Sequence, residues 1–150
     1  MAAQMEDGVF YDLNPPAVIL GKNFHRVKCE YQVPNNPNEY SVSGVPEGAV
    51  EEESFILRFS EKGRVRAFRS ENQEPRAKWL TTEHWSRLTK EKVKAELEHL
   101  LRNCKTKGEF EKECRHRFGA PLISLSWGET GRSIAICRRG KSESIYASVS

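Results

Sequence analysis

The sequence predicts an α+β domain: a small antiparallel β portion, then two or three short helices and a C-terminal β-hairpin. In the first half, apolar and polar residues alternate, as they do in half-buried antiparallel strands. In the second half, apolar residues recur every three or four positions behind helix-capping residues, and they alternate again near the C-terminus. With 150 residues, the chain is long enough to build one hydrophobic core.

A single domain is expected at residues 18–141, with its β part at about 18–69 and its helix-hairpin part at about 79–139. Residues 1–17 are interpreted as a leader, because Asn14-Pro15-Pro16 is incompatible with a helix. Residues 142–150 are interpreted as a flexible tail, because they are rich in serine and nearly uncharged.

Four strands are predicted in the β part, at residues 24–33, 40–45, 54–59 and 64–69. The last two are expected to form a hairpin whose glycine, Gly63, supplies a positive φ in the turn.

One face of that hairpin combines arginine with an aromatic ring. Arg64, Arg66 and Phe68 share a face, and Arg58 is expected opposite them. Such a surface can stack nucleic-acid bases and neutralise phosphates. A solvated sheet face is the alternative interpretation, because the glycine-and-aromatic pattern of an RNA-recognition strand is absent.

Three helices are predicted, each preceded by a threonine that can act as its N-cap. They begin after Thr81, Thr89 and Thr106 and end near residues 88, 103 and 118. The second helix has a single apolar stripe, with the other side expected to carry ion pairs four residues apart, such as Lys92–Glu96. The residues of the stripe are Val93, Leu97, Leu100 and Leu101.

Charge is unevenly distributed along the chain. Residues 1–75 contain 8 Lys/Arg and 12 Asp/Glu, whereas residues 76–141 contain 16 Lys/Arg and 8 Asp/Glu. The second half is therefore expected to attract polyanions or acidic proteins.

The order of helices followed by a hairpin resembles that of winged helix-turn-helix domains. The resemblance implies that the third helix enters a major groove while the hairpin tip and the basic segment after it contact phosphates. The residues predicted to bind nucleic acid are Lys112, Arg115, His116, Arg132, Arg138, Arg139, Lys141, Arg64 and Arg66.

The leading functional hypothesis is a non-catalytic domain that binds DNA or RNA. The alternative is a protein-interaction module, an adaptor or a regulatory or viral factor, whose helical part docks onto an acidic partner. An enzyme is the third class, but the chain has no Gly-rich phosphate loop and no nucleophile elbow. No cofactor and no membrane partner are expected, and the missing signal peptide predicts an intracellular location, nuclear or cytoplasmic.

The four cysteines offer one alternative to plain core packing. Cys104, Cys114, His116 and Cys137 include enough ligand types for zinc, but the paired spacing of most structural zinc sites is missing. The cysteines are therefore interpreted as small buried hydrophobic residues, and no metal is expected.

Overall fold

The structure is a computed structural model that describes residues 4–69, 80–119, 122–137 and 144–150. Ten strands and two helices lie within these ranges. They are β1 (Phe10–Ile19), β2 (Lys22–Gln32), β3 (Glu39–Gly44), β4 (Glu53–Phe59), β5 (Arg64–Phe68), β6 (Leu80–Thr81), β7 (Trp85–Arg87), α1 (Lys90–Asn103), α2 (Lys107–Phe118), β8 (Leu122–Trp127), β9 (Arg132–Cys137) and β10 (Ser144–Val149).

The predicted α+β fold class, with its winged-helix-like order, is wrong. Most of the described elements are strands, and they form two antiparallel sheets. Strands β1 to β7 form a half-barrel in the order β6-β5-β4-β3-β2-β1-β7, and the other sheet has the order β10-β9-β8. The two helices lie between the sheets in the chain, so the described residues do not contain the three-helix unit that a winged helix requires.

The segment predicted as the first helix is strand β7. Trp85 lies opposite Leu13 of β1, and the backbone N–H of Leu88 donates to the Phe10 carbonyl at 2.8 Å. Threonine at position 81 is a suitable helix cap, but a segment this short gains few intrahelical hydrogen bonds. The backbone N–H and carbonyl groups of this segment form hydrogen bonds with β1 instead. This pairing between distant parts of the chain leaves no periodic signal in the sequence.

Both ends of the chain contribute strands that the sequence analysis did not anticipate. The predicted leader includes most of β1, whose pairing with β2 is interrupted by an irregularity between Asp12 and Ala17. This irregularity accommodates the exposed prolines Pro15 and Pro16. The predicted tail forms β10, which pairs with β9 without a register shift.

The large sheet is curled because one short segment joins its two edges. Strand β6 pairs with β5 at one edge, and β7 pairs with β1 at the other. Residues 82–84 alone separate these two strands, and three extended residues span only about 10 Å. The edges must therefore lie close together.

The interior of the half-barrel is apolar because strand residues alternate across the sheet. Tyr40 is fully buried, and its ring meets that of Phe59 edge to face at 5.6 Å. The other buried residues of this core are Met5, Leu13, Ile19, Phe24, Val27, Cys29, Val42, Phe55, Leu57, Val65 and Ala67. Val65 and Ala67 of β5 therefore point inward, whereas Arg64 and Arg66 lie on the opposite face.

A second core lies between the helices and the three-stranded sheet. The predicted stripe of α1 is buried there, together with Phe110 and Cys114 of α2 and with Ile145 and Ala147 of β10. Two of the three predicted caps are confirmed: Thr89 accepts a hydrogen bond from the Lys92 N–H, and Thr106 accepts one from the Glu109 N–H. Thr81 lies in β6 instead. Among the described residues, no helix has the length and apolar composition required to cross a membrane.

Replacing Leu97 with alanine tests the second core. Leu97 is fully buried, so we expect Leu97→Ala to lower the free energy of unfolding by about 2–5 kcal/mol. Urea unfolding followed by circular dichroism measures the change. The exposed Lys94 on the same helix provides the control, and Lys94→Ala should shift stability by no more than about 0.5 kcal/mol. Equal effects of the two substitutions would contradict this packing.

Candidate functional site

The half-barrel and the helices meet at Arg26, on the outer face of β2. Its Nε donates to Asp12 Oδ1 of β1 at 2.6 Å, and its Nη2 lies 2.9 Å from Glu96 Oε2 of α1. Its guanidinium carbon stands 5.0 Å from the centre of the Phe118 ring of α2. One side chain, only 16% exposed, thus contacts both layers of the molecule.

Arg117 of α2 extends this network. Its Nη1 donates to Glu96 Oε1 at 2.9 Å, and its Nε donates to Glu113 Oε2 at 3.4 Å. The backbone carbonyl of Arg117 accepts a hydrogen bond from Arg26 Nη1 at 3.4 Å. We call these five residues, Asp12, Arg26, Glu96, Glu113 and Arg117, the interlayer network. With three carboxylates and two guanidinium groups, it has a formal charge of −1.

An open cleft of about 410 Å³ adjoins the interlayer network, and His25 and His116 also line it. His116 Nδ1 lies 3.0 Å from the carbonyl oxygen of Ala49. A carbonyl can only accept, so Nδ1 must carry the proton. His25 Nε2 lies 3.8 Å from Glu47 Oε2 at the surface. Since the arginines here are already paired with carboxylates, the cleft does not offer a ready site for an anion.

The network uses acidic groups that the sequence analysis had assigned to the solvent side. Glu96 was expected to pair with Lys92, but it pairs with Arg26 and Arg117. Glu113 is likewise engaged by Arg117. Two of the six glutamates in residues 90–119 therefore do not neutralise the outer surface of the helices.

Seven lysines and arginines of the helical layer are exposed and form no ion pair with another described residue. We call them the helical basic surface: Lys92, Lys94, Arg102, Lys105, Lys107, Lys112 and Arg115. Arg102, Lys105 and Lys107 lie at the corner between α1 and α2. Lys112 and Arg115 are three residues apart on α2 and therefore share a face.

The other residues predicted to bind nucleic acid have different surroundings. His116 lines the cleft, and Arg132 Nη1 donates to the carbonyls of Leu101 and Cys104 at 2.7 and 2.8 Å. Arg64 and Arg66 lie on the outer face of β5, a different element from the helical basic surface. Three predicted residues, Arg138, Arg139 and Lys141, lie outside the described part of the chain.

The aromatic residue on the outer face of β5 is covered. Arg58 lies opposite Arg66 as expected, but its guanidinium carbon is 4.9 Å from the centre of the Phe68 ring. Arg58 also donates to Glu39 at 2.5 Å, and Phe68 is only 5% exposed. A nucleic-acid base could not stack on this ring unless Arg58 moved away.

Three of the cysteines, Cys29, Cys104 and Cys114, are buried thiols, and burial lowers their reactivity. Burial raises the pKa of Cys29 and of Cys114 to about 12, and it also raises the pKa of Cys104. These groups are therefore protonated at neutral pH and are poor nucleophiles. The described residues contain no group of three or more His, Cys, Asp or Glu side chains that could hold a metal ion.

Comparison of the chain with protein-family models, with curated proteins and with solved structures gave no match.

Three residues of the interlayer network, Asp12, Arg26 and Arg117, were not among the predicted site residues. Asp12 and Arg26 lie on paired strands, whereas Glu96 is 70 residues beyond Arg26 in the chain. Only the assembled fold brings these groups together, so no spacing in the sequence could have identified the network.

Removing the Arg26 guanidinium should leave Asp12 and Glu96 without their shared partner. We expect Arg26→Met to lower the free energy of unfolding by about 2–4 kcal/mol, because half-buried carboxylates would lose their countercharge. Adding Glu96→Gln should recover about 1 kcal/mol of that loss, because the two residues are in direct contact. Urea unfolding of both variants gives these values. The exposed Arg64 serves as the control, and an Arg26→Met protein no less stable than Arg64→Met would contradict the role of the network.

Thiol alkylation tests the raised pKa values. A raised pKa keeps the thiol protonated at pH 8, so we expect iodoacetamide to modify the half-buried Cys137 before Cys29 or Cys114. Mass spectrometry of peptides after timed labelling measures the order. In guanidinium chloride all four cysteines should react at similar rates. Equal labelling of Cys29 and Cys137 in the folded protein would contradict the burial of Cys29.

Proposed function

We propose that this protein is a non-catalytic nucleic-acid-binding domain that contacts the phosphate backbone through the helical basic surface. The observation that supports the proposal is the set of seven exposed, unpaired cations defined above. Glu96 and Glu113, which could have neutralised them, are held in the interlayer network. Arg117 is held in the same network, so the outer surface of the helices is more positive by one charge than the sequence of the helices suggests.

The composition of this surface favours backbone contacts over base recognition. Phe110 and Phe118 are the aromatic residues of the two helices, and both are buried. Lysine and arginine without exposed aromatic rings neutralise phosphates but offer no stacking platform for bases. Binding should therefore depend steeply on salt and only weakly on base sequence.

The chemistry of the described thiols supports a binding role rather than a catalytic one. Cys29 and Cys114, with their pKa values at about 12, cannot supply a thiolate at neutral pH. In the cleft, the carboxylates and guanidinium groups of the interlayer network are engaged with one another. A binding domain requires neither a nucleophile nor a metal.

An acidic protein is the alternative partner, because the same cations would attract carboxylates. Carboxylate surfaces have lower charge density than a duplex, in which each 1.7 Å of helix axis carries about one negative charge. Competition between an oligonucleotide and poly-glutamate, at equal concentrations of negative charge, distinguishes a nucleic-acid partner from an acidic protein. Nucleic acid should remain bound in the presence of poly-glutamate if the proposal is correct.

Reversing two charges on α2 tests the proposed surface. We expect Lys112→Glu/Arg115→Glu to weaken binding of a fluorescein-labelled 20-nucleotide RNA or DNA on the order of tenfold at 50 mM NaCl. It should also make the slope of log K against log salt shallower by about 1.4–1.8, the value for two lost phosphate contacts. Fluorescence anisotropy measures both quantities.

The matched control carries the same change in charge at Lys62, in the turn between β4 and β5, and at Arg64, the first residue of β5. Lys62 and Arg64 are exposed and form no ion pair with another described residue. Lys62→Glu/Arg64→Glu should therefore reduce affinity much less than the α2 variant. Equal losses would show that net charge alone drives binding, and absence of binding by the unmodified protein at 50 mM NaCl would remove the proposal.

A further inference from the structure

A second cleft, of about 240 Å³, lies between the C-terminal end of α1 and the turn that joins β8 to β9. Arg102 of α1 and Arg132 of β9 line it, together with Glu129 of the turn. Whole small-molecule sites usually occupy about 300–1,000 Å³, so this cleft suits a single charged group better than a complete ligand.

The guanidinium of Arg132 is held in place from two directions. Its Nη1 donates to the carbonyls of Leu101 and Cys104, which lie at the end of α1 where carbonyl groups lack helical partners. Its carbon atom stands 3.8 Å from the centre of the Trp127 ring, and Trp127 in turn packs against Phe110 at 5.7 Å. A side chain fixed in this way loses little further entropy when it binds a ligand.

Arg132 retains donors for a ligand. Both N–H groups of Nη1 are engaged by the two carbonyls, whereas Nε and Nη2 form no hydrogen bond with any described residue. These two nitrogens form one edge of the planar guanidinium, the arrangement that binds two phosphate oxygens together. Arg132 therefore combines a structural role at the helix end with an available edge.

The charge of the cleft favours an anion. Arg102 is exposed and forms no ion pair with another described residue, so two guanidinium groups and one acidic side chain, that of Glu129, line the cleft. The rest of the wall consists of Leu101, Gly128, Gly131, Val149 and Ser150. Arg102 also belongs to the helical basic surface, and Lys105 and Lys107 follow it in the chain at the corner between α1 and α2.

We propose that the cleft seats one phosphate group of the bound nucleic-acid backbone, with Arg132 and Arg102 as its two donors. This assignment rests on the function proposed above and adds one defined phosphate position to it. The remaining cations of the helical basic surface act as mobile point charges. Arg132 instead sets the position of one phosphate relative to the second core.

A double-mutant cycle tests the assignment. If Arg102 and Arg132 bind the same phosphate, the losses of affinity caused by Arg102→Gln and Arg132→Lys should not add. We expect about a tenfold loss for Arg102→Gln and little additional loss in the double variant. Anisotropy with a labelled 12-nucleotide oligothymidine measures the affinities, and circular dichroism confirms that each variant is folded.

Arg115 provides the matched control, because it is an exposed arginine of the same surface outside the cleft. The losses from Arg115→Gln and Arg132→Lys should add. Additive losses for Arg102 and Arg132 as well, or no loss for Arg102→Gln, would overturn the phosphate assignment. If the α2 charge reversal still weakened binding in that case, the proposed function would stand and only the cleft assignment would fall.

Competition with inorganic phosphate shows whether the cleft binds a phosphate of the nucleic-acid backbone or free phosphate. In competition with the oligothymidine, inorganic phosphate at an equal concentration of phosphate groups should displace little of it, because one phosphate cannot engage the rest of the surface. Complete displacement at that concentration would show that the cleft is a site for free phosphate and would overturn the backbone assignment.

Discussion

The contact between Arg26 and its two carboxylate partners determines how the two layers of this molecule meet. Arg26 lies on β2, Asp12 lies on the neighbouring β1, and Glu96 comes from α1. The same guanidinium lies against Phe118 of α2. Phe10 of β1 also packs in the core of the helices, with its ring 5.4 Å from that of Phe118, so the polar contact and this ring pair together specify which faces of the two layers are joined.

The energetic role of this network is specificity more than stability. Removing charged groups from water costs free energy, and the attraction between the charges only partly offsets that cost. A half-buried ion network therefore contributes little net stability. It strongly disfavours, however, any arrangement of the layers that leaves one charged group unpaired. Its second consequence is electrostatic. Because Glu96 and Glu113 are held by Arg26 and Arg117, they do not neutralise the cations on the outer side of α1 and α2, where we propose that nucleic acid binds.

The elements with local signals could be predicted from the sequence. Helix α1 has the predicted bounds, because Thr89 caps it and its apolar stripe is regular. The pairing of Arg58 with Arg66 followed from strict alternation on β4 and β5. The failures have two causes. Strand β7 forms through pairing with β1, which is distant in the chain. Strands β1 and β10 pair with their neighbours in the chain, but the prolines of β1 and the serines of β10 resemble loop composition. The uneven charge of the two halves was visible in the sequence, but the withdrawal of Glu96 from the surface depends on Arg26.

The most direct test of this account is to map the residues whose environment changes when nucleic acid is added. Two-dimensional ¹H–¹⁵N spectra of the labelled protein, titrated with a 12-nucleotide oligothymidine at low salt, report on the backbone amides and on the Nε–H groups of the arginines. The account predicts that the largest shifts fall at residues 102–115 and at the Arg132 side chain, while Arg26 and its neighbours on β2 change little. Shifts centred on the outer face of β4 and β5, or on the cleft between His25 and His116, would contradict it.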